Sequence, residues 1–228
     1  MDKALITGTT SGLGASLAEI YEDGGYSVHS ISKKAPKSSA VHRDCDLEDL
    51  DSVRRGIDSL VKTHCYEYVF LNAGVLGELA VGADVHLRDY EKAFDVNVWS
   101  NKIIIDSLIK HKRAKNIICL SSGAASKGYF GWSIYCSTKG AMKQLMSCYH
   151  LEYPDIKFLS LAPGLIKTKM QDYICSHDEN ELPSVKKFKD AYSTMQTPED
   201  CARKIYNGLE EILSKGVDYF DLREVKEK

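Results

Sequence analysis

Two tyrosine–lysine pairs at helical spacing could carry acid–base chemistry: Tyr135 with Lys139, and Tyr153 with Lys157. Residues four apart on a helix are neighbours, so each pair would set an ammonium beside a phenol. That arrangement favours the phenolate and brings a phenol toward the working range of a general acid or base. Pro154 directly follows Tyr153, and a helix does not continue through that junction with both side chains on one face. Only Tyr135 and Lys139 can act together, with Met142 and Met146 continuing their face toward a sheet. Ser122 stands thirteen residues before Tyr135, at the end of an apolar run, where its hydroxyl would bond a carbonyl oxygen that Tyr135 also reaches. Thirteen residues before Tyr153 is Gly140, which has no donor side chain.

A second group of residues has the types that cradle a dinucleotide. Thr7-Gly8-Thr9-Thr10-Ser11-Gly12-Leu13-Gly14 follows an apolar run and opens an amphipathic stretch. Glycines let a backbone turn tightly against a pyrophosphate, and a helix N-terminus directs unpaired N–H groups at its charge. The spacing here is Gly-x-x-x-Gly-x-Gly, not the commoner Gly-x-Gly-x-x-Gly. Ser32 ends the second apolar run, where an acid would hold a ribose 2′-hydroxyl, and Lys33, Lys34 and Lys37 follow. Cations at that point accommodate a 2′-phosphate, so NADP(H) is expected over NAD(H). Ser11 stands where a second cation in the glycine loop would strengthen the preference, which makes it a modest one. The plainer alternative is a solvated lysine-rich turn. Asp46-Leu47 follows the third run, and Asp46 either sets a carboxylate beside the adenine amino group or caps the next helix. Asn72-Ala73-Gly74 closes the fourth run with small residues that permit close backbone contact with a cofactor.

Short β-branched or apolar runs alternate with longer amphipathic stretches, the pattern of βαβ units. Strands are predicted at Ala4–Thr7, Tyr26–Ser32, Ala40–Arg43, Tyr68–Asn72, Asn116–Ser121, Lys157–Leu161 and Val217–Asp221. Helices are predicted at Gly12–Glu22, Leu47–Thr63, Leu87–Lys110, Trp132–Glu152 and Pro198–Leu213. Thr197-Pro198-Glu199 supplies a cap oxygen, a proline at N1 and an acid in the first turn. The expected class is α/β: one doubly wound domain over residues 1–228, a mostly parallel seven-stranded sheet with helices on both faces. The polar segment 169–196 follows the sixth strand at the edge where ligands bind, and is either a substrate lid or a solvated loop.

Composition narrows the classes further. The 228 residues are 43% apolar and 27% charged, enough for one large core under a soluble surface. With 30 Lys+Arg against 32 Asp+Glu, no chain-wide field draws the protein to nucleic acid or anionic lipid. No apolar stretch approaches the roughly 18 residues of a bilayer span, and the N-terminus has no signal-peptide apolar region. Seven cysteines without a Cys-x-x-Cys pair fit free thiols in a cytoplasmic protein and no metal site.

Taken in order, Thr7-Gly8-x-x-x-Gly12-x-Gly14, Asn72-Ala73-Gly74, Asn97, Ser122, Tyr135-x-x-x-Lys139 and Pro163-Gly164-x-x-x-Thr168 closely resemble the short-chain dehydrogenase/reductase family. The resemblance spans residues 7–168 and reaches the tail only in outline. It implies a Rossmann-type fold, with Tyr135 as proton donor or acceptor and Lys139 binding the nicotinamide ribose. It further implies that Ser122 polarises the carbonyl and that Asn97 holds a helix bend and a water for proton relay. Thr168 would bond the pyrophosphate or carboxamide, with the Ile166 backbone nearby. Gly8, Thr10, Ser11, Gly12, Leu13, Gly14, Ser32, Lys33, Lys34, Asp46, Leu47, Asn72, Ala73, Gly74, Pro163 and Gly164 would complete the cofactor site. Ser121-Ser122-Gly123-Ala124-Ala125 and Tyr129 to Cys136 are similar to the branch of benzil and sepiapterin reductases, which reduce one carbonyl of a diketone-type substrate with NADPH. Trp132 in that segment either stacks on an aromatic ligand or packs the helix start. The expected partner is a small-molecule carbonyl or alcohol, and the expected assembly a homodimer or homotetramer. A non-catalytic NADP-binding regulator on the same fold is the rival reading, and a nucleotide-sugar epimerase a weaker one.

Overall fold

In a computed structural model describing residues 1–36 and 41–224, seven strands form a parallel sheet in the order β3-β2-β1-β4-β5-β6-β7. The strands are β1 (Lys3–Thr7), β2 (Ser27–Ser32), β3 (Val41–Asp44), β4 (Tyr66–Leu71), β5 (Ala114–Leu120), β6 (Lys157–Ala162) and β7 (Tyr219–Asp221). Each starts and ends within two residues of its expected bounds; the expected start at Ala40 lies outside the described residues, as does Lys37. Their residues alternate between two cores because successive side chains point to opposite faces. Ala4, Ile6, Phe70, Ile118, Leu120, Leu159 and Leu161 enter one core. Leu5, Val69, Leu71, Ile117, Cys119 and Phe158 enter the other.

Helices α1 (Gly12–Asp23) and α8 (Pro198–Ser214) cover the first face through Leu17, Tyr21, Ile205 and Leu209. The second face is covered by α2 (Leu50–Val61), α4 (Ser100–Lys110) and α5 (Ser133–Glu152), through Val53, Ile57, Ile104, Leu108, Met142 and Met146. The sheet is thus wound on both sides, and the strand order reverses at β1, which pairs with β2 on one side and β4 on the other. At the start of α8, Thr197 caps as the sequence indicates: its hydroxyl oxygen accepts the Asp200 N–H at 3.1 Å.

Three stretches differ from the sequence expectation, each for a local reason. The second helix begins at Leu50, not Leu47, because Asp49 is the residue whose carboxylate accepts the Asp51 and Ser52 N–H groups. The expected helix Leu87–Lys110 is interrupted: α3 (Leu87–Phe94) passes into a widened π-turn at Asp95–Trp99 before α4. Backbone carbonyls at the wide turn take side-chain donors instead, Ser100 Oγ on Val96 O at 2.6 Å and Asn101 Nδ2 on Asn97 O at 2.9 Å. Segment 169–196 is not a plain polar loop, since it contains α6 (Lys169–Cys175) and α7 (Lys186–Ala191). Buried Ile174, Leu182, Val185, Phe188 and Met195 fix it in a third apolar cluster with Trp132 and Tyr135.

Candidate active site

A cleft of about 700 Å³ opens outside the carboxyl ends of the strands, at the reversal between β1 and β4. Its floor is fixed by hydrogen bonds between those two strand ends. Thr7 Oγ1 accepts the Asn72 and Ala73 N–H groups at 3.0 Å each, while Asn72 Nδ2 donates to Thr7 O at 3.0 Å and Gly8 O at 3.2 Å. The glycines answer two separate demands. Gly8 and Gly12 take left-handed φ values of +72° and +60°. Gly14 is required by space: a Cβ there would stand 2.2 Å from Gly8 O and 2.3 Å from Asn72 Nδ2.

This cradle fits a dinucleotide. At the N-terminus of α1, Ser11 makes no side-chain capping bond and no acidic residue stands in the first turn. The positive end of that helix is therefore left uncompensated where Ser11, Gly12 and Leu13 line the cleft. Opposite, the Thr168 side chain comes within 3.5 Å of the place a Gly12 Cβ would occupy. Thr10, Ala73, Gly74, Pro163 and Ile166 also line the cleft.

At the far end, Ser32, Lys33, Asp46 and Leu47 line the cleft, and Lys34 is exposed beside it. Ser32 is buried and its hydroxyl donates to Lys34 O at 2.8 Å. Lys33 Nζ stands 3.0 Å from Asp46 Oδ2 and 3.6 Å from Glu48 Oε1. The hydrogen bond to Asp46 raises the Lys33 pKa above its ordinary value. Burial works to raise the Asp46 carboxyl, but the Glu48 N–H and the Lys33 ammonium outweigh it and hold the group below the usual carboxylate value. Asp46 does not cap α2; that position is Asp49.

At the other end, α5 carries Tyr135 and Lys139, 9% and 8% exposed. The Lys139 ammonium lies 5.6 Å from the centre of the Tyr135 ring and donates to Leu120 O at 2.7 Å. An ammonium has three donors, so two stay available toward the cleft that Lys139 lines. Among the described residues it has no carboxylate within ion-pair distance. Asn97 sits in the π-turn, buried; its Oδ1 accepts the Val75 N–H at 2.8 Å, and its Nδ2 donates to Val75 O at 2.8 Å and Thr138 Oγ1 at 3.0 Å. One carboxamide thus joins the segment after β4 to α5. Gly74 leaves the space between them open, since a Cβ there would be 3.2 Å from Asn97 Oδ1 and 3.7 Å from Lys139 Nζ.

Tyr135 lines both this cleft and a smaller cavity of about 160 Å³. Ser122 and Gly164 line the smaller cavity, with Tyr129, Trp132, Phe188 and Gln171 on the other walls. Ser122 Oγ accepts the Ala124 N–H at 3.2 Å, which leaves its own proton free to donate. The Trp132 ring packs on the protein: it stacks on Phe188 at 4.8 Å between centroids and meets Tyr129 at 5.3 Å.

The short chain dehydrogenase family model matches residues 2–179. This chain belongs to the short-chain dehydrogenase family. Among similar short-chain dehydrogenases is a benzil reductase ((S)-benzoin forming) of Bacillus subtilis, 24% identical with 100% of this chain and 99% of that one covered. A benzil reductase ((S)-benzoin forming) of Bacillus cereus is 27% identical, over 92% and 94% of the two chains. Solved structures share the fold: the KRED1-Pglu enzyme has TM-score 0.82 at 21% identity, covering 96% of this chain and 100% of that one. A short chain dehydrogenase from Burkholderia cenocepacia in complex with NADP has TM-score 0.76 at 18% identity, covering 91% and 90%. A 3-ketoacyl-(acyl-carrier-protein) reductase from Brucella melitensis complexed with NADH has TM-score 0.78 at 20% identity, covering 96% of each chain. The chain is accordingly an oxidoreductase of a family whose structural neighbours hold NAD(P) nucleotides. No helix among the described residues is long and apolar enough to cross a membrane.

Several site residues escape a sequence reading. Ser121 lines both the cleft and the cavity, and its buried hydroxyl has no hydrogen-bond partner among the described residues. Its signal is its place at the mouth of β5, one residue before Ser122. Glu48 and Phe188 carry no motif and are found only by their position on the two walls.

Proposed function

We propose that this short-chain dehydrogenase is an NADPH-dependent carbonyl reductase acting on a ketone or 1,2-diketone. The observation that carries the reading is the double position of Tyr135, which lines the dinucleotide cleft on one side and the Ser122 cavity on the other. A phenol so placed can meet a carbonyl oxygen whose carbon faces the cleft. A dinucleotide held there would supply a hydride from its nicotinamide C4 to the carbonyl carbon. Tyr135 donates the proton to the carbonyl oxygen, and the Ser122 hydroxyl donates to the same oxygen as negative charge develops on it. The two products are then an alcohol and the oxidised dinucleotide. Lys139 directs its two available donors at ribose hydroxyls, and Leu120 O keeps the ammonium at that depth. Asn97 acts through Val75 and Thr138, fixing the spacing between the cleft floor and α5. Gly8, Gly12 and Gly14 admit the pyrophosphate, and Lys33, beside buried Ser32, is the cation that reads a 2′-phosphate. The benzil reductase relatives support a carbonyl substrate, and the aromatic walls at Trp132, Tyr129 and Phe188 support a planar one. The seven free thiols are in keeping with a reducing, cytoplasmic setting.

The test follows NADPH absorbance with benzil, other 1,2-diketones, pterin ketones and simple aldehydes in parallel. Substrate-dependent oxidation is expected, and Tyr135→Phe should lower turnover by about 10²–10⁴-fold with NADPH binding nearly intact. Tight NADPH binding with no oxidation across the panel would instead mark a binding-only regulator, and near-normal reduction by the Phe variant would remove Tyr135 from the chemistry.

A further inference from the structure

Two carboxylates on the adenosine end of the cleft share a single ammonium. Lys33 Nζ meets Asp46 Oδ2 at 3.0 Å and Glu48 Oε1 at 3.6 Å, and all three residues line the cleft. The carboxylates come as a unit, because Asp46 Oδ1 accepts the Glu48 N–H at 3.0 Å and so fixes the turn that carries both. Lys33 follows β2 and the acids follow β3, so the pair closes over the gap between two adjacent strand ends. The side chains are 58%, 44% and 46% exposed, which makes the pairing open to exchange with an entering anion.

An incoming 2′-phosphate meets this triad with opposed consequences. It can take the Lys33 ammonium, but only in competition with two carboxylates of its own charge sign that already face it, whereas a bare ribose hydroxyl leaves the triad in place. We propose that Asp46 and Glu48 are a counterweight to Lys33: they compete with the 2′-phosphate for one ammonium and thereby narrow the chain's discrimination between phosphorylated and unphosphorylated dinucleotides. The proposal rests on the reading of Lys33 as the phosphate-reading cation. Asp46 and Glu48 act in it through Lys33, as positioning residues.

The experiment uses 2′-phospho-ADP-ribose and ADP-ribose, which carry no nicotinamide and do not turn over, with binding measured by titration calorimetry at one ionic strength. Four proteins are compared: wild type, D46N/E48Q, K33A and the triple variant. The carboxamide oxygen introduced by D46N still accepts the Glu48 N–H, so the turn is conserved. D46N/E48Q should raise the affinity for the phosphorylated ligand relative to ADP-ribose by about fivefold. In the K33A background the same two changes should gain less than about twofold, because the ammonium they compete for is gone. A fivefold gain that persists without Lys33 would reduce the effect to plain charge repulsion and overturn the proposal. Equal weakening of both ligands by D46N/E48Q would overturn it too, by showing that the acids grip the adenosine directly. If K33A abolishes the advantage of the phosphorylated ligand while D46N/E48Q changes nothing, the counterweight alone falls. If K33A leaves that advantage untouched, the phosphate-reading role of Lys33 falls, and the counterweight with it.

Discussion

At the β1–β4 junction, Thr7, Gly8, Asn72 and Ala73 are locked by hydrogen bonds of 3.0–3.2 Å, whereas the segment across the smaller cavity is held mostly by ring faces and aliphatic contacts. Phe188 stacks on Trp132 at 18° between planes, Leu182 packs against Gly131, and Lys187 Nζ lies 3.7 Å from the Tyr129 ring centre. Polar ties supplement these: Ser184 Oγ donates to Phe130 O at 2.7 Å, Gln196 Nε2 to Pro163 O at 2.6 Å, the Tyr192 hydroxyl to Asp172 Oδ1, and the Lys167 N–H to Gln196 O at 2.9 Å. One wall is thus defined by backbone geometry with little room for change, and the other by side-chain packing that tolerates replacement of similar volume. A nucleotide pyrophosphate is the same in every turnover and suits the first kind of wall. Shape recognition of a carbonyl compound suits the second.

The largest effect should come from attacking the first wall at its tightest point. Gly14→Ala would force a Cβ against Gly8 O, at 2.2 Å, and neither Gly8 nor the Asn72 carboxamide can retreat without breaking the β1–β4 bonds. Dinucleotide affinity, read by fluorescence titration, should fall by about 100-fold or more, with thermal stability lowered by several degrees for a cost of about 2–3 kcal/mol. A variant that binds NADPH normally would show that the junction yields, and the contrast between the walls would fail.

A smaller effect on ligand binding, and one confined to the second wall, is expected from Phe188→Ala. Phe188 is buried and loses both its stack on Trp132 and its edge contact with Tyr129 at 5.9 Å. The loss is about 2–4 kcal/mol of local packing. It should appear as faster hydrogen exchange across 182–195, and as a raised KM for the carbonyl substrate with NADPH affinity unchanged. If exchange quickened equally around Gly8 and Asn72, the two walls would be one cooperative unit.

This division also explains what could be read from the chain. The cradle was legible because its requirements are written in residue type: glycine at the positive φ of Gly8 and Gly12, and no Cβ at Gly14. Tyr135, Lys139 and Ser122 were legible as a spacing, which α5 and the end of β5 convert into a shared surface. The two short helices of segment 169–196 were not, because seven and six residues are too few to show a period, and Ile174, Leu182, Val185 and Phe188 are scattered among polar and charged neighbours. The π-turn at Asn97 was legible only through the family resemblance, which implies a helix bend there; residue pattern alone did not show it, because the partners Val75 and Thr138 are remote in sequence. The Lys33 triad needed the third dimension as well, since lysines after β2 show nothing of the acids after β3 until the strands pair.

The smallest expected effect sharpens the comparison by pH. His29 in β2 is 1% exposed, with Nδ1 on the Tyr66 hydroxyl at 2.9 Å and the His64 ring edge-on at 4.4 Å. Burial foremost, then the nearby His64, Lys3 and Arg43, lowers its pKa from 6.5 to about 4. Between those values the unfolded chain binds the proton and the folded chain does not, so stability is complete above about pH 6.5 and falls as the pH drops toward 4. From pH 6.5 to 5 the loss should be at most about 2 kcal/mol, by denaturant titration. His64, shifted down in the same direction chiefly by burial, adds to the same window. Because His29 lies on the strand that ends in Ser32, acid should loosen β2 and its neighbours before segment 182–195, seen as earlier exchange of β2 amides than of 182–195. His29→Gln should flatten this part of the pH profile; an unchanged slope would assign the acid sensitivity to other groups.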